Sequence, residues 1–595
     1  MKKFSVWNAV LWISVLYFVT IILLIFLHER ENNVFDNHVE NNLDILGDDI
    51  ILIHNGYELK ESNKTSIRKK FDIEEQYRKY GPGENGSAVI LPGVNISFPG
   101  LAERNKKHDF NTFISDMISL HRKMTDYRPT DCKHIKYPDD LPKITIVTIF
   151  RDEWWSILLR TVYSVLELSP AHLLHEIIIV DDGSTNVELI TTVKIHVNNL
   201  EKVRFVQNKV SRGLMMARQA GIDAVQTDLF VVMDGHMEVG PGWLEPLIYR
   251  LVQQPKALLC SHVGGIDQKT FEIRINNNKP DEKHYDEQFP FFDHMTLDQM
   301  FAPYSEEFKK QRNHSVEPIP YGTIQGMMMV MRKDFFQQLG GFDPGMKVWG
   351  SEQIELSVKV WMCGGVVEMV PCSTVAHMYR VTPWGSYEEG NDYHSLNKIR
   401  MSQVWMDPPF RDTLDNFLSD KNISVTDIGT RKAIRTRNKC KPYKYFIDKV
   451  RSFSDVFIPN AIKASGSIQN HLYKHCVDIA TEKEQERLIL YPCHKRMGAN
   501  QYFVLTDKNQ IRSYKGNMFD VVKLENGNYD FVLRHTILEW TGVESEWRLN
   551  GSRIENIATG LCLTALSQDL LGIKPCIGPN EDKSQMWNFD IKKLF

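Results

Sequence analysis

At 595 residues the chain is too long for one ordinary core and has room for several domains. Its 42% hydrophobic and 25% charged residues exclude wholesale disorder. With 71 basic and 75 acidic residues the net charge is −4, which offers neither the basic surplus of a nucleic-acid binder nor an acidic solvating tail.

From Phe4 to Leu27 run 24 residues without a charge, enough as a helix to cross a hydrocarbon core of about 30 Å. Lys2 and Lys3 precede the run, which predicts a cytoplasmic tail of residues 1–3. A cleaved signal peptide is the rival, but its apolar region is usually only about 7–15 residues, closed by a small-residue site. The run here ends Leu-Leu-Ile-Phe-Leu, which favours an uncleaved anchor over residues 4–27, with the rest of the chain in a secretory lumen. Two features agree. Asn-x-Ser/Thr sequons stand at Asn63, Asn85, Asn95, Asn313, Asn422 and Asn550, and the nine cysteines form no Cys-x-x-Cys pair. In an oxidising lumen they read as four disulfides and one leftover thiol.

Residues 28–105 are polar, without sustained periodicity, and read as a stem. The pattern then changes. Ile144–Phe150 and Glu176–Val180 are apolar runs of buried-strand length, and Val203–Gln207 and Leu229–Met233 read as further strands. Helical spacing covers Trp154–Leu168, Leu214–Val225 and Ile354–Cys363. The alternation predicts a mostly parallel sheet covered on both faces, with ligands at the carboxyl ends of the strands. Attention therefore falls on Asp181-Asp182 and on Asp234-Gly235-His236. After about residue 466, short strands between Gly, Asn and Asp turns replace the helices. Cys476-Val-Asp478, Cys493-His494 and Asn500-Gln501 are echoed by Cys562-Leu-Thr564, Cys576 and Gln585. A middle segment, Met518 to Trp547, fits the period of about 40 residues without the cysteines, which predicts a threefold β-trefoil-like or solenoid unit.

Asp234 and His236 offer a carboxylate and an imidazole that suit Mn²⁺. Alone, Asp-x-His is a weak signal, and its ordinary reading is structural. Acid at a neighbouring strand end, Asp181-Asp182, shifts that balance, because such charge needs a cation or sugar hydroxyls. His377 is a third ligand candidate, although a lone His in an apolar segment is usually a satisfied core residue. Arg380 offers a cationic fork for phosphate. Glu352, at a helix start, is as readily a dipole partner, and Trp349 as readily core.

The motifs taken together resemble the UDP-GalNAc:polypeptide N-acetylgalactosaminyltransferases. They run from Leu141-Pro142 through Phe150-x-x-Glu153-x-x-Ser156 and Arg160, Glu176–Asp182, Asp234-x-His236-x-Glu238 and Trp243-Leu-Glu-Pro-Leu. They continue through Trp349-Gly-x-Glu352-x-x-Glu355, Trp361-x-Cys363, Pro371-Cys372 to His377 and Arg380, and Asn397-x-x-Arg400. The resemblance spans about residues 105–595. It implies an α/β GT-A-type nucleotide-sugar transferase domain over 106–455, then an all-β ricin-type β-trefoil lectin domain over 466–595, behind the N-terminal transmembrane helix. It further implies a Golgi type II membrane enzyme that uses Mn²⁺ to move GalNAc from UDP-GalNAc to Ser/Thr hydroxyls of polypeptides or glycopeptides, with retention.

Mapped by motif, Asp234, His236 and His377 would bind Mn²⁺. Asp182 would hold the uridine or ribose and Arg380 the diphosphate. Trp349 would line the donor site, and Glu352 would orient sugar hydroxyls or acceptor. Gly326 and Trp384 fall among the substrate-binding residues. The implied disulfides are Cys132–Cys372, Cys363–Cys440, Cys476–Cys493 and Cys562–Cys576, leaving Cys260. Asp478, His494 and Asn500 match the sugar-binding positions of the first lectin repeat, and Thr564 predicts a silent third.

Several positions depart from the family pattern. Gln325-Gly326-Met327 stands where Ala-Gly-Gly is usual, Trp349-Gly-Ser351-Glu352-Gln353 replaces Trp-Gly-Gly-Glu-Asn, and Phe150-Arg-Asp-Glu153 replaces Phe-His-Asn-Glu. Ser211 takes the place of an Arg, and Trp384 that of a Tyr. These departures leave open an alternative, a catalytically weak or inactive member that binds glycopeptides in the Golgi as a lectin. They also leave open a transferase with a changed donor or acceptor.

Overall fold

The computed structural model describes residues 53–54, 57–58, 81–91, 100–275, 287–312, 315–380, 392–408, 410–418, 421, 423–458, 462–482, 485–494, 499–513, 517–536, 538, 542–578 and 581–589. The predicted tail, the span 4–27 and Trp384 lie outside them, and among the described residues no helix is long and apolar enough to cross a membrane. The chain divides into two compact units, one of residues 1–75 and 90–102, the other of 76–89 and 103–595. In the first, Ile53–His54 pairs antiparallel with Tyr57–Glu58.

The second unit carries a ten-stranded sheet. Its strands include β1 (Ile144–Phe150), β2 (Leu174–Asp182), β3 (Val203–Asn208), β4 (Leu229–Asp234), β5 (Met237–Val239), β6 (Ala257–Ile266), β7 (Met328–Arg332) and β8 (Val366–His377). The apolar runs are continuous because both faces are covered. In β1, Val147 and Ile149 enter one core cluster while Ile144 and Ile146 enter the other, and β2 divides Ile178 and Val180 from Ile177 and Ile179 in the same way. Helix α1 (Trp155–Leu168) packs Leu158, Leu159 and Val162 on one face. On the other face lie Met215 and Ile222 of the helix Leu214–Asp223 and Ile354 and Val358 of the helix Glu352–Met362.

The order runs β8-β6-β7-β4-β1-β2-β3. The parallel arrangement holds for β4-β1-β2-β3 and for β6 with β8. Strand β7 enters antiparallel between β4 and β6, and the short β5 lies antiparallel on the end of β8. Alternation along the sequence does not reveal this reversal, because a buried strand reads the same in either direction.

Two boundaries differ from the sequence reading. Residues 83–89 belong to the part that carries the ten-stranded sheet rather than to a linker: Val89 donates to the Thr270 carbonyl at 2.8 Å and packs with Phe271 and Ile273. The lectin part opens with the strand Ile462–Gly466. All four implied disulfides are present, and Cys260 is buried and free. The three repeats share one core of Val477, Phe519, Leu563, Phe503, Trp547 and Trp587, and the first repeat's Ile468–Asn470 pairs with the last strand, Trp587–Phe589. That closure decides for a trefoil over a solenoid, whose ends would stay unpaired.

Candidate functional site

Three strand ends meet at the carboxyl edge of the sheet. Asp234 closes β4, His236 stands in the tight turn to β5, and His377 closes β8, where its pairing with Met237 sets it beside His236. Gly235 lets that turn pass against β1, since a Cβ there would stand 3.0 Å from the Ile149 carbonyl oxygen. The two imidazoles lie 4.8 Å apart by ring centroid. One ligand atom from each of the three residues falls within 4.8 Å of the others.

The charges suit a cation. Burial would raise the Asp234 carboxyl, but the Arg218 guanidinium, donating at 2.9 Å, holds it well below the usual range, so it is ionised. Burial lowers His377, which keeps its imidazole neutral, and neither of its ring nitrogens has a hydrogen-bond partner; Nε2 stands 3.5 Å from Asp234 Oδ2. A buried, neutral imidazole with both nitrogens unbonded beside an ionised carboxylate fits a metal ligand set.

Two further residues organise this edge. Glu153, between β1 and α1 (Trp155–Leu168), accepts from His236 Nδ1 at 2.9 Å and from Arg380, and Arg380 also lies 5.7 Å from the Phe110 ring. Burial opposes its ionisation, but Arg380 and His236 hold its carboxyl at about 2. Arg218 bridges Asp234, the Gly326 carbonyl at 2.7 Å and Glu352 at 3.3 Å. Sequence reasoning had Glu153 only as part of a motif and did not single out Arg218. Their partners lie 83, 227, 16 and 134 residues away, distances over which one sequence carries no pairing signal.

The remaining site residues are placed as follows. Glu352 is buried, with one oxygen toward Arg218 and the other accepting the Gly350 N–H at 2.9 Å. Trp349 is 39% exposed and stacks on His394, in a loop where Val348, Gly350 and Ser351 all have positive φ and Asn397 binds three carbonyls. Asp182 closes β2. Its two oxygens accept from Asn208, Ser211, and the N–H groups of Arg212 and Gly213, so it anchors the loop 211–213 and makes no bond to the metal-type cluster. Gly326 has φ +103° and faces Gln353. Met327 is partly buried against the core of the sheet. Its carbonyl accepts from Asp234 N, and its side chain lines a cleft of about 400 Å³ with His262, Arg274, Gln325 and Tyr379. Tyr379 sits edge-on to His377 at 4.6 Å, which ties the cleft to the cluster.

In the lectin part, Asp478 accepts from Asn500 Nδ2 at 2.8 Å and from Gln501 Nε2 at 2.7 Å, with His494 Nε2 at 3.8 Å and the exposed Tyr491 alongside. The third repeat keeps the glutamine: Gln585 bonds Thr564 at 3.1 Å and the Pro575 carbonyl at 3.0 Å, as Gln501 bonds the Pro492 carbonyl at 3.2 Å. It has no carboxylate at the Asp478 position.

Residues 145–340 match the glycosyl transferase family 2 model, 306–382 the N-terminal domain of galactosyltransferase, and 464–587 the ricin-type beta-trefoil lectin domain. Polypeptide N-acetylgalactosaminyltransferase 13 of Homo sapiens is 34% identical over 439 residues, covering 73% of this chain and 76% of its own. The putative polypeptide N-acetylgalactosaminyltransferase 9 of Drosophila melanogaster is 31% identical over 547 residues, covering 90% and 80%. A crystal structure of GalNAc-T7 with UDP, GalNAc and Mn²⁺ superposes with a TM-score of 0.68 at 26% identity, over 86% of this chain and 93% of that one.

Proposed function

This chain belongs to the polypeptide N-acetylgalactosaminyltransferase family, and on that premise we propose that it transfers GalNAc from UDP-GalNAc to Ser and Thr hydroxyls of polypeptides, with Mn²⁺ and with retention at the anomeric carbon. The observation that carries the reading is the meeting of Asp234, His236 and the unbonded imidazole of His377 from separate parts of the chain. These three residues would hold Mn²⁺, which when bound supplies Lewis-acid neutralisation of the departing diphosphate.

The chain's own groups supply the rest. Arg380 offers its guanidinium to the diphosphate. Arg218 fixes Asp234 and the Gly326 carbonyl in one plane of contacts, and Glu352 fixes Arg218 and the Trp349 loop. The exposed face of Trp349 bounds the donor side, and the cleft lined by Met327 and Tyr379 receives the acceptor. Among the described residues no carboxylate stands free as a nucleophile at this edge, which favours attack by the acceptor oxygen on the face that UDP leaves. The C–O bond to the acceptor then forms as the bond to phosphate breaks, and the hydroxyl proton passes to the departing phosphate oxygen.

The apolar span at residues 4–27, the sequons and the four disulfides support a Golgi type II membrane protein with both domains luminal. Incubating the chain with UDP-GalNAc, Mn²⁺ and a panel of naked and GalNAc-bearing peptides tests the activity. Transfer lost with EDTA, and an α-anomeric product by NMR, are expected; no transfer to any peptide removes the reading. Met327 in place of the usual Gly favours a second reading, a glycopeptide binder without turnover, which the same panel would reveal as binding alone.

A further inference from the structure

The proposed activity, on which this inference rests, needs two cationic groups at one edge, the ion on His236 and the guanidinium of Arg380, and a single buried carboxylate touches both carriers. We propose that Glu153 is a positioning residue that couples them. It fixes His236 for the ion, and it holds Arg380 until a nucleoside diphosphate takes the guanidinium over.

With both of its oxygens accepting from the Arg380 guanidinium, Glu153 is placed as an acceptor, so His236 Nδ1 carries the proton in the 2.9 Å bond. The Nε2 lone pair is thereby left for a ligand role, since the partner of one ring nitrogen sets the tautomer of the other. The carboxylate itself is held. It is 4% exposed, Oε1 accepts the Trp154 N–H at 3.0 Å, and it stands at the amino end of the 14-residue helix α1. Arg380 donates to both of its oxygens and lies over the Phe110 ring, so the guanidinium is aimed beside His236 with no anion bound. A diphosphate offers Arg380 more negative charge than one carboxylate does. Its arrival shifts Arg380 from Glu153, and the freed carboxylate charge then acts on His236 and the ion alone.

Two variants of the full chain separate this from a merely structural role. Free Mn²⁺ measured by electron paramagnetic resonance gives the metal affinity, and calorimetry at saturating Mn²⁺ gives the UDP affinity. Glu153→Gln should weaken Mn²⁺ binding about 10–100-fold, as loss of a ligand's supporting partner does, while UDP affinity at saturating Mn²⁺ holds or tightens. Arg380→Gln should show the opposite split, Mn²⁺ affinity held within about threefold and UDP weakened more than about tenfold. Glu153→Gln with an unchanged melting temperature and unchanged Mn²⁺ affinity overturns the coupling, as do equal effects of the two variants on both ligands. The ¹⁵N shifts of His236 in the unsubstituted chain give a check that needs no variant to fold: Nδ1–H is expected, and an Nε2–H tautomer overturns the proposal. If the unsubstituted chain binds no Mn²⁺, the proposed activity falls with it; if it binds and Glu153→Gln binds equally well, only the role of Glu153 falls.

Discussion

Asp234 in the transferase part and Asp478 in the lectin part are carboxylates of similar local setting, each with a histidine nitrogen 3.5–3.8 Å away. Their other neighbours separate them. Asp234 gives Oδ1 to the Arg218 guanidinium and turns Oδ2 toward His377, whose ring lies beside that of His236. Among the described residues Asp478 accepts from neutral amides, those of Asn500 and Gln501. A carboxylate fixed by a guanidinium beside two imidazoles suits a cation, whereas one framed by amides suits hydroxyl donors. The middle lectin repeat shows what closes such a site. Asp520 occupies the same strand register, but Arg534 from the facing strand pairs with it, where the first repeat has Tyr491 opposite Cys476.

The contrast is broken first by removing a ligand. His236→Ala or His377→Ala should abolish Mn²⁺-stimulated turnover, beyond the roughly 100-fold cost of losing a supporting partner, and leave GalNAc binding by the lectin part intact. Unchanged rates across a Mn²⁺ titration would take that histidine out of the site. Next in size, Asp478→Ala removes hydrogen bonds to a charged group, worth about 1.5–3 kcal/mol. Action on GalNAc-bearing peptides should fall about 10–100-fold while naked peptides are spared, and equal loss on both would contradict a lectin role.

Acid separates the two parts by a third route. Burial holds His262 at about 4, and burial with Arg451 holds His294 at about 3, both in the transferase part. The unfolded chain protonates these rings near pH 6.5 and the native chain does not. Their native form is therefore undisturbed above about pH 6.5 and loses stability as pH falls from there toward 4. Calorimetry should show the transferase transition moving down across that window; a transition flat from pH 7 to 4 would mean these rings take up protons without cost. The smallest effect is expected from Thr564→Asp. It restores a carboxylate to the third repeat, but Ile577 stands in place of His494 and Ser584 in place of Asn500, so GalNAc affinity should change less than about threefold. A large gain would show that the carboxylate alone decides.

Much of this was legible in the residues. The strands β1, β2 and β4 follow from apolar runs, and Asp234 with His236 follows from the strand end that carries them. His377, the disulfides and the lectin positions came from motif resemblance and not from periodicity. Glu153 and Arg218 stayed hidden because each works through partners that only the folded chain brings near. At Asp182 the place after a strand is legible in the sequence, but the bonds from Ser211 and two backbone N–H groups are not.

Strand β8 pairs Met369 with Cys260 of β6 and carries Cys372, the partner of Cys132 across 240 residues. At about 5–20 residues per second of synthesis, Cys132 waits tens of seconds for that partner, while Cys260 emerges earlier and is the nearer wrong choice. Docking of β8 answers both hazards in one event, since the strand that covers the odd thiol is the strand that delivers the right one. The order in which the nascent chain assembles is thus written into the sheet, and correct cross-linking depends on β8 reaching β6 before an oxidant reaches Cys260.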